Sequence, residues 1–238
     1  MIQQVRFAFI QKESAVLMGS PRTFSRYGRC GMELSDLLPH IGSVADDICL
    51  VRSMKTDAFN HHPGQLLLMT GSTQFGRPTM GAWVVYGLGS ESQNLPGFAV
   101  LASGVGTRGG ASNFMSGFLP SSYQGTLLRS SGDPILYLSN PPGVGMESQR
   151  AALDALRDLN QEHHAQTGDE EIASRIASYE LAFRMQMAGP ELADFSKESP
   201  ATLEMYGVNK DPCRPFAINC LMARRMVERG VRFVLLMH

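Results

Sequence analysis

The residues with the clearest chemical potential form a short polar run, Asn60-His61-His62-Pro63, within the stretch from Asp57 to Gln65. This run lies between a predicted buried strand and a predicted helix start. A helix N-terminus presents free N–H groups and a positive dipole end, which suit phosphate or sulfate. An imidazole can bind a metal or transfer a proton. We expect at least one of His61 and His62 to be a site residue. The alternative is that one of these two histidines caps the helix and the other is a surface residue.

The other histidines carry weaker signals. His163 and His164 lie on a charged helical face beside Glu162, which indicates surface residues. His40 falls in a predicted amphipathic helix and is expected to make a partly buried polar contact. His238 ends a predicted buried strand, and a terminal residue in that position is either a site residue or simply frayed.

Sequence motifs exclude two common kinds of site. The glycine-rich run 104–110 lacks the order of a phosphate-binding loop, and no glycine-rich dinucleotide motif opens a helix after a strand. No nucleophile elbow of the type G-x-S-x-G occurs either. The sequence therefore predicts neither nucleotide binding nor a serine hydrolase.

Composition bounds the class of protein. The 238 residues are 43% hydrophobic and 18% charged, with a formal net charge of −1, which gives no electrostatic footprint for nucleic acid. Apolar runs are too short for a membrane span, and the first residues lack a signal-peptide layout, so the chain as given is expected in the cytoplasm. The cysteines match no zinc or redox spacing and are expected to be buried free thiols; they are Cys30, Cys49, Cys213 and Cys220.

Hydrophobic spacing predicts strands that alternate with helices, which favours an α/β fold with a mainly parallel sheet and a helix-rich second half. Ser35 is the predicted N-cap of the first helix and Pro63 suits a first helical position. Met185, Met187 and Met205 are expected in the core. The predicted strands are 48–51, 98–101 and 231–237. The predicted helices are 35–47, 63–70, 79–89, 147–166, one capped by Asp169, one after Ser199, and 215–229, while 103–146 are predicted to be irregular.

Several segments resemble the bacterial domain-of-unknown-function 1501 family, which is described as sulfatase-like within the alkaline phosphatase superfamily. The segments are GMELSDLLPH at 31–40, AFNH at 58–61, MTG at 69–71, GRPTMGAW at 76–83, YGLG at 86–89 and RRMVERGVRFV at 224–234. The resemblance runs from about residue 7 to residue 238. It implies an α/β/α sandwich and metal-assisted hydrolysis of phosphate or sulfate esters, of small molecules or glycans, with zinc, calcium or magnesium as cofactor.

Comparison with the sulfatase motif adds residue roles by resemblance. Aligning Thr70-Gly71 on the motif's Thr-Gly places His61 at the nucleophile and Gln65 at the arginine position. His61 cannot become a formylglycine, so ordinary sulfatase chemistry is doubtful there. The resemblance thus implies His61 and Gln65 as catalytic, Asn60 and Thr70 as anion-binding, and His61 and His62 as metal-binding residues.

The family pattern also extends beyond this chain on both sides. Its metal-binding aspartate segment and its later Trp-Asp-x-His and Gly-Glu-Phe-Gly-Arg-Thr segments have no counterpart in 1–238. The resemblance therefore implies a single incomplete domain that is marginally stable, holds no metal tightly and is inactive alone. The alternative is a non-catalytic remnant or binding protein. Relatives are typically exported, and no nucleic acid or membrane partner is expected.

Overall fold

The computed structural model describes residues 18–103, 109–129 and 139–238. They divide into two units, of which the first ends at Phe59 and the second begins at Asn60. The interpretation of 1–238 as one incomplete domain stays a prediction. The beginning of the family resemblance, near residue 7, and most of the glycine-rich run 104–110 lie outside the described residues.

The first unit is built on a small hairpin. Strand β1 (Phe24–Tyr27) pairs antiparallel with strand β2 (Met32–Ser35). The connecting loop is held by Asp46, whose carboxylate accepts from the backbone N–H of Arg29 at 2.9 Å and of Cys30 at 2.8 Å. These backbone hydrogen bonds hold the pKa of the Asp46 carboxyl below its ordinary value, because they stabilise the ionised form.

The predicted helix 35–47 and strand 48–51 are wrong. Ser35 ends β2, and only helix α1 (Pro39–Gly42) and a 3-10 turn (Ala45–Asp47) form in that segment. A Cβ on Gly42 would lie 2.4 Å from the Tyr27 ring, so this close approach fixes the end of α1. Residues 48–51 form no strand and are exposed, as is His40. Among the described residues, β1 and β2 pair only with each other, so no neighbouring strand reaches this segment.

The second unit contains a parallel sheet of three strands in the order β4-β3-β5. The strands are β3 (Phe98–Ala102), β4 (Thr126–Arg129) and β5 (Phe233–Met237). This confirms the predicted α/β fold and the strands at 98–101 and 231–237. Strand β4 lies in the segment 103–146, which was predicted to be irregular. The prediction missed this strand because four residues flanked by glycine and serine carry too little periodicity to indicate one.

Helices surround this sheet, and most of them end where the sequence predicts. The helices are α2 (His61–Thr70), α3 (Met80–Leu88), α4 (Met146–Thr167), α5 (Glu170–Ala193), α6 (Pro200–Tyr206) and α7 (Arg214–Glu228). The Asp169 side chain caps α5 by accepting from the Glu171 N–H at 3.0 Å. Gly71 and Gly168, with φ of 74° and 68°, end α2 and α4 in the left-handed conformation that glycine adopts freely.

The two faces of β3 carry two separate cores. One face packs Leu101 with Leu128 of β4 and Met222 of α7. The opposite face packs Phe98 and Val100 with residues of α3 and with Phe114. A layer of helix on each side of a sheet is the sandwich arrangement expected from the sequence. Its likeness to alkaline phosphatases stays a prediction.

Two expectations about burial need correction. Met185 is buried, but Met187 and Met205 are 69% and 74% exposed, because they lie on the outer sides of α5 and α6. The four cysteines are free, as predicted, yet Cys30, Cys49 and Cys213 are exposed rather than buried. Only Cys220 is half-buried, and burial raises the pKa of its thiol.

Among the described residues, no helix is both long enough and apolar enough to cross a membrane.

Replacement of Leu101 by alanine tests the central role of β3. Leu101 is fully buried, so Leu101→Ala is expected to lower the free energy of unfolding by about 2–5 kcal/mol, through lost transfer energy and the cavity left behind. Leu159→Ala is the matched control, since Leu159 is 64% exposed, and its cost is expected to stay within about 0.5 kcal/mol. Equal losses for the two variants in urea unfolding would contradict this role.

Lowering the pH is expected to loosen the loop of the β1–β2 hairpin. The folded pKa of Asp46 is below its unfolded value, so its contribution is present above the unfolded pKa and is lost as pH falls through the folded pKa. Asp46→Asn should perturb the Arg29 and Cys30 amide NMR signals already at neutral pH and flatten their acid dependence. Asp47→Asn is the control; identical acid profiles for both variants would refute the assignment.

Candidate functional site

The predicted polar run lies at the start of α2 in the second unit. The Asn60 side-chain oxygen accepts from the His61 N–H at 2.7 Å and so caps the helix. The His61 side chain is exposed, and His62 is half-buried. Pro63 falls in the first turn, where its missing N–H leaves no hydrogen bond unmade.

His62 is held by a serine far away in the sequence. The His62 Nε2 atom lies 2.9 Å from Ser112 Oγ, and that hydroxyl donates its hydrogen to the Gly109 carbonyl at 2.6 Å. Because a hydroxyl has a single hydrogen, Ser112 must accept from His62, so Nε2 carries the proton. The neutral ring then has its lone pair on Nδ1, where no partner is found among the described residues. His62 is thus positioned to bind a metal or to accept a proton through Nδ1.

Gln65 lies one turn further along α2 and contacts a buried asparagine. The Asn113 side-chain Nδ2 donates to Gln65 Oε1 at 3.0 Å. This contact leaves both Nε2 hydrogens of Gln65 as donors, which is the kind of group that binds an anionic oxygen. Asn113 is fully buried, and its Oδ1 has no hydrogen-bond partner in the part of the chain that the structure describes. Such an unpaired buried acceptor is costly unless something binds it.

Gly109 brings these two contacts to one place. A Cβ added there would lie 2.7 Å from His62 Cδ2 and 2.8 Å from Asn113 Nδ2. Only a residue without a side chain lets the segment from Gly109 to Asn113 approach α2 so closely. We call His62, Gln65, Gly109, Ser112 and Asn113 the α2 corner.

Three predicted site residues do not join the α2 corner. The first is His61, whose side chain is exposed. The Asn60 side-chain oxygen is engaged as a helix cap. The Thr70 hydroxyl is at the opposite end of α2, where its oxygen lies 2.8 Å from the Leu66 carbonyl and 3.0 Å from the Ser72 carbonyl, the two acceptors within reach of its single hydrogen. The dipole is negative at that end, so nothing in the local geometry favours an anion at Thr70.

A second polar contact lies at the carboxyl edge of the sheet, where parallel α/β sheets place their sites. Ser103, directly after β3, lies with its hydroxyl 2.9 Å from His238 Nδ1. The Phe216 ring packs 5.1 Å from the His238 ring. His238 is therefore anchored by its side chain. Away from this edge, His163 is exposed and His164 is half-buried.

The donors of the α2 corner fit a metal only in part. The unpaired Asn113 Oδ1 and the lone pair of His62 Nδ1 are suitable ligand atoms, and His61 directly precedes His62 on α2. Within the described residues, however, no three side chains of His, Cys, Asp or Glu come together to hold a metal ion. A catalytic metal needs about three protein ligands, so these residues form an incomplete set.

Comparison with known protein families decides the classification. A family model described as protein of unknown function (DUF1501) matches residues 2–238. The chain belongs to the DUF1501 family. Searches of curated proteins and of solved structures found no match.

Sequence reasoning missed the partners of His62 and Gln65 in this DUF1501 chain. Ser112 and Asn113 are 50 and 48 residues away from the side chains they contact. The available signal was the run Gly109-Gly110-Ala111-Ser112-Asn113, in which two glycines precede two polar residues inside an otherwise unassigned segment. A close backbone approach followed by hydrogen-bonding side chains is typical of a site loop.

The His62 tautomer offers a direct test of the α2 corner. Nitrogen NMR of the imidazole is expected to show the Nε2-protonated form, because Ser112 must accept that hydrogen. Ser112→Ala should reduce the Nε2-protonated fraction to that of a free histidine, whereas Ser116→Ala, at another buried serine, should leave it unchanged. A predominantly Nδ1-protonated ring in the unmodified chain would contradict the geometry.

Proposed function

We propose that this chain takes part in the hydrolysis of phosphate or sulfate esters and that the α2 corner binds the anionic group of the ester. The observation that carries the proposal is the Asn113–Gln65 hydrogen bond of 3.0 Å. It fixes the Gln65 amide with its oxygen engaged and its Nε2 hydrogens available to acceptors. An anionic ester oxygen is the strongest acceptor that such donors can meet.

Position on the helix supports the same assignment. Gln65 lies one turn into α2, so it follows the positive end of the helix dipole, which favours negative charge within the first turn. In the resemblance to sulfatases, Gln65 occupies the place of an arginine that would serve the same anion. A neutral amide supplies directed hydrogen bonds without the charge, so we expect anion binding that is weaker than an arginine would give.

His62 supplies the second element of the proposed chemistry. Its Nε2–H is committed to Ser112, so Nδ1 is the atom that can take a proton from an attacking water or return one to a leaving oxygen. Ser112 acts as a positioning residue, because it holds the ring in the tautomer that keeps Nδ1 unprotonated. Its hydroxyl hydrogen is used on the Gly109 carbonyl, so Ser112 is not set up as a nucleophile.

A divalent metal would polarise the ester and stabilise the leaving oxygen. His61 and Asn113 are the residues that would contribute ligands, and His62 would do so only where its Nδ1 lone pair binds the metal instead of a proton. These ligands are too few for tight binding. The described residues alone are proposed to bind metal weakly.

A non-catalytic binding role is the second candidate. It is favoured by the incomplete ligand set in the described part of the chain. Binding of the anion without turnover would distinguish this role from hydrolysis.

Substitution of Gln65 tests the proposal. Gln65→Met keeps the size of the side chain but removes its donors, and is expected to weaken binding of inorganic phosphate or sulfate by about 10-fold or more, as for hydrogen bonds to charged groups. Titration calorimetry measures this, with Gln74→Met as the control, since Gln74 is exposed on the next loop. Equal affinities of unmodified chain and Gln65→Met would overturn the proposal.

Turnover is measured separately, on aryl phosphate and aryl sulfate with zinc, magnesium or calcium added. His61→Ala and His62→Ala are each expected to lower bound metal and turnover, because His61 falls at the nucleophile position of the sulfatase motif and His62 Nδ1 is the proposed proton acceptor. Unchanged metal binding and turnover in both variants would remove the hydrolase assignment and leave the binding role.

A further inference from the structure

We propose that a cavity between β4, α4 and α5 is a binding site for a neutral, mainly apolar small molecule that carries hydrogen-bond donors. The cavity has a volume of about 690 Å³. That volume is within the range of ordinary ligand pockets. It is separate from the anion chemistry proposed for the α2 corner.

The walls define what the cavity can accept. Leu127, Leu153, Leu181 and Phe183 are among the apolar residues that line it, and none of the described lining residues is charged. A charged ligand would lose its hydration there without gaining an opposite charge. Neutral, apolar molecules are therefore favoured over phosphate or sulfate esters.

Two oxygens in the walls lack donors. Gln149 and Gln186 both line the cavity, and the Oε1 atom of each is buried without a hydrogen-bond partner in the described ranges. Two of the wall hydroxyls already donate elsewhere, because Ser178 donates to the Ser174 carbonyl at 2.8 Å and Ser121 donates to Glu171 at 2.8 Å. N–H or O–H groups of a ligand would supply the hydrogens that the two glutamine oxygens lack.

The two glutamines are not equally free to respond. Gln186 Nε2 donates to Asn140 at 3.0 Å, which restrains its amide. No such bond is found for Gln149 in the described part of the chain, and the last torsion of a glutamine has a broad energy minimum. Gln149 can therefore turn its oxygen toward a donor in the cavity, which would relieve the cost of an unpaired buried acceptor.

Binding of bisphenol A tests the proposal, since it is neutral and apolar with two hydroxyl donors; its dimethyl ether has the same frame without donors. Calorimetry on the whole chain is expected to show bisphenol A binding at least tenfold more tightly than the ether. Gln149→Met should reduce that preference by about 3- to 10-fold, the usual range for one hydrogen bond. The unfolding temperature of the Gln149→Met chain should not be lower than that of the unmodified chain, because the substitution removes an unpaired buried acceptor.

Filling the cavity is the second arm. Ala182 lines the cavity and Ala173 lies elsewhere on the same helix; both are exposed, so they differ in their position relative to the cavity. Ala182→Trp should weaken bisphenol A binding by at least tenfold, and Ala173→Trp should leave it unchanged. Undetectable binding at about 1 mM, or equal affinity for both tryptophan variants, would overturn the proposal. Phosphate affinity is expected to be the same in Gln149→Met and unmodified chain, so this test fails or succeeds independently of the α2 corner.

Discussion

The second unit depends on strand β3, whose backbone pairs on both sides and whose two faces are both buried. Ala99, Val100 and Leu101 have no exposed surface. A parallel strand buried in this way must satisfy every backbone group within the sheet, since water cannot reach it. The shared direction of the three strands then places their carboxyl ends along one edge. The backbone bond from Ser103 to the Met237 carbonyl, at 2.9 Å, extends the pairing to that edge and aligns Ser103 with His238.

One arginine ties the helices on the α7 side of this sheet together. The Arg225 guanidinium donates to the carbonyls of Asp194 at 2.6 Å and Glu191 at 2.8 Å, at the end of α5, and lies over the Phe195 ring. These carbonyls have no partners within their own helix, and a cation is favoured at the negative end of its dipole. The carboxylate of Glu198, 3.7 Å away, offsets part of the cost of burying the charge. Arg225 thereby fixes the position of α5, which is also a wall of the cavity.

Local signals predicted what local interactions determine. Caps such as Asp169 and Gly168 mark helix ends, and the apolar run of β5 identifies a strand of the sheet, because each depends on neighbouring residues. The predicted helix 35–47 failed because the segment's conformation is set by contacts with Tyr27 and with the loop held by Asp46, which no periodicity reveals. The same holds for the α2 corner. His62 and Gln65 could be predicted as site residues because they follow a recognisable helix start. Their partners, Ser112 and Asn113, depend on the path of the segment that follows β3.

The return of the chain after β3 also links the two proposed sites physically. Ser112 and Asn113 hold the polar side chains of α2, and the next residue, Phe114, packs in the core against β3 and lines the cavity. The Phe114 carbonyl accepts from the Gly125 N–H at 2.8 Å, directly before β4. Three consecutive residues thus connect a hydrogen-bonded corner, an apolar core and a cavity wall. Packed interiors have few voids, so the positions of the α2 corner and of the cavity wall are both set by the packing of this one short segment against β3.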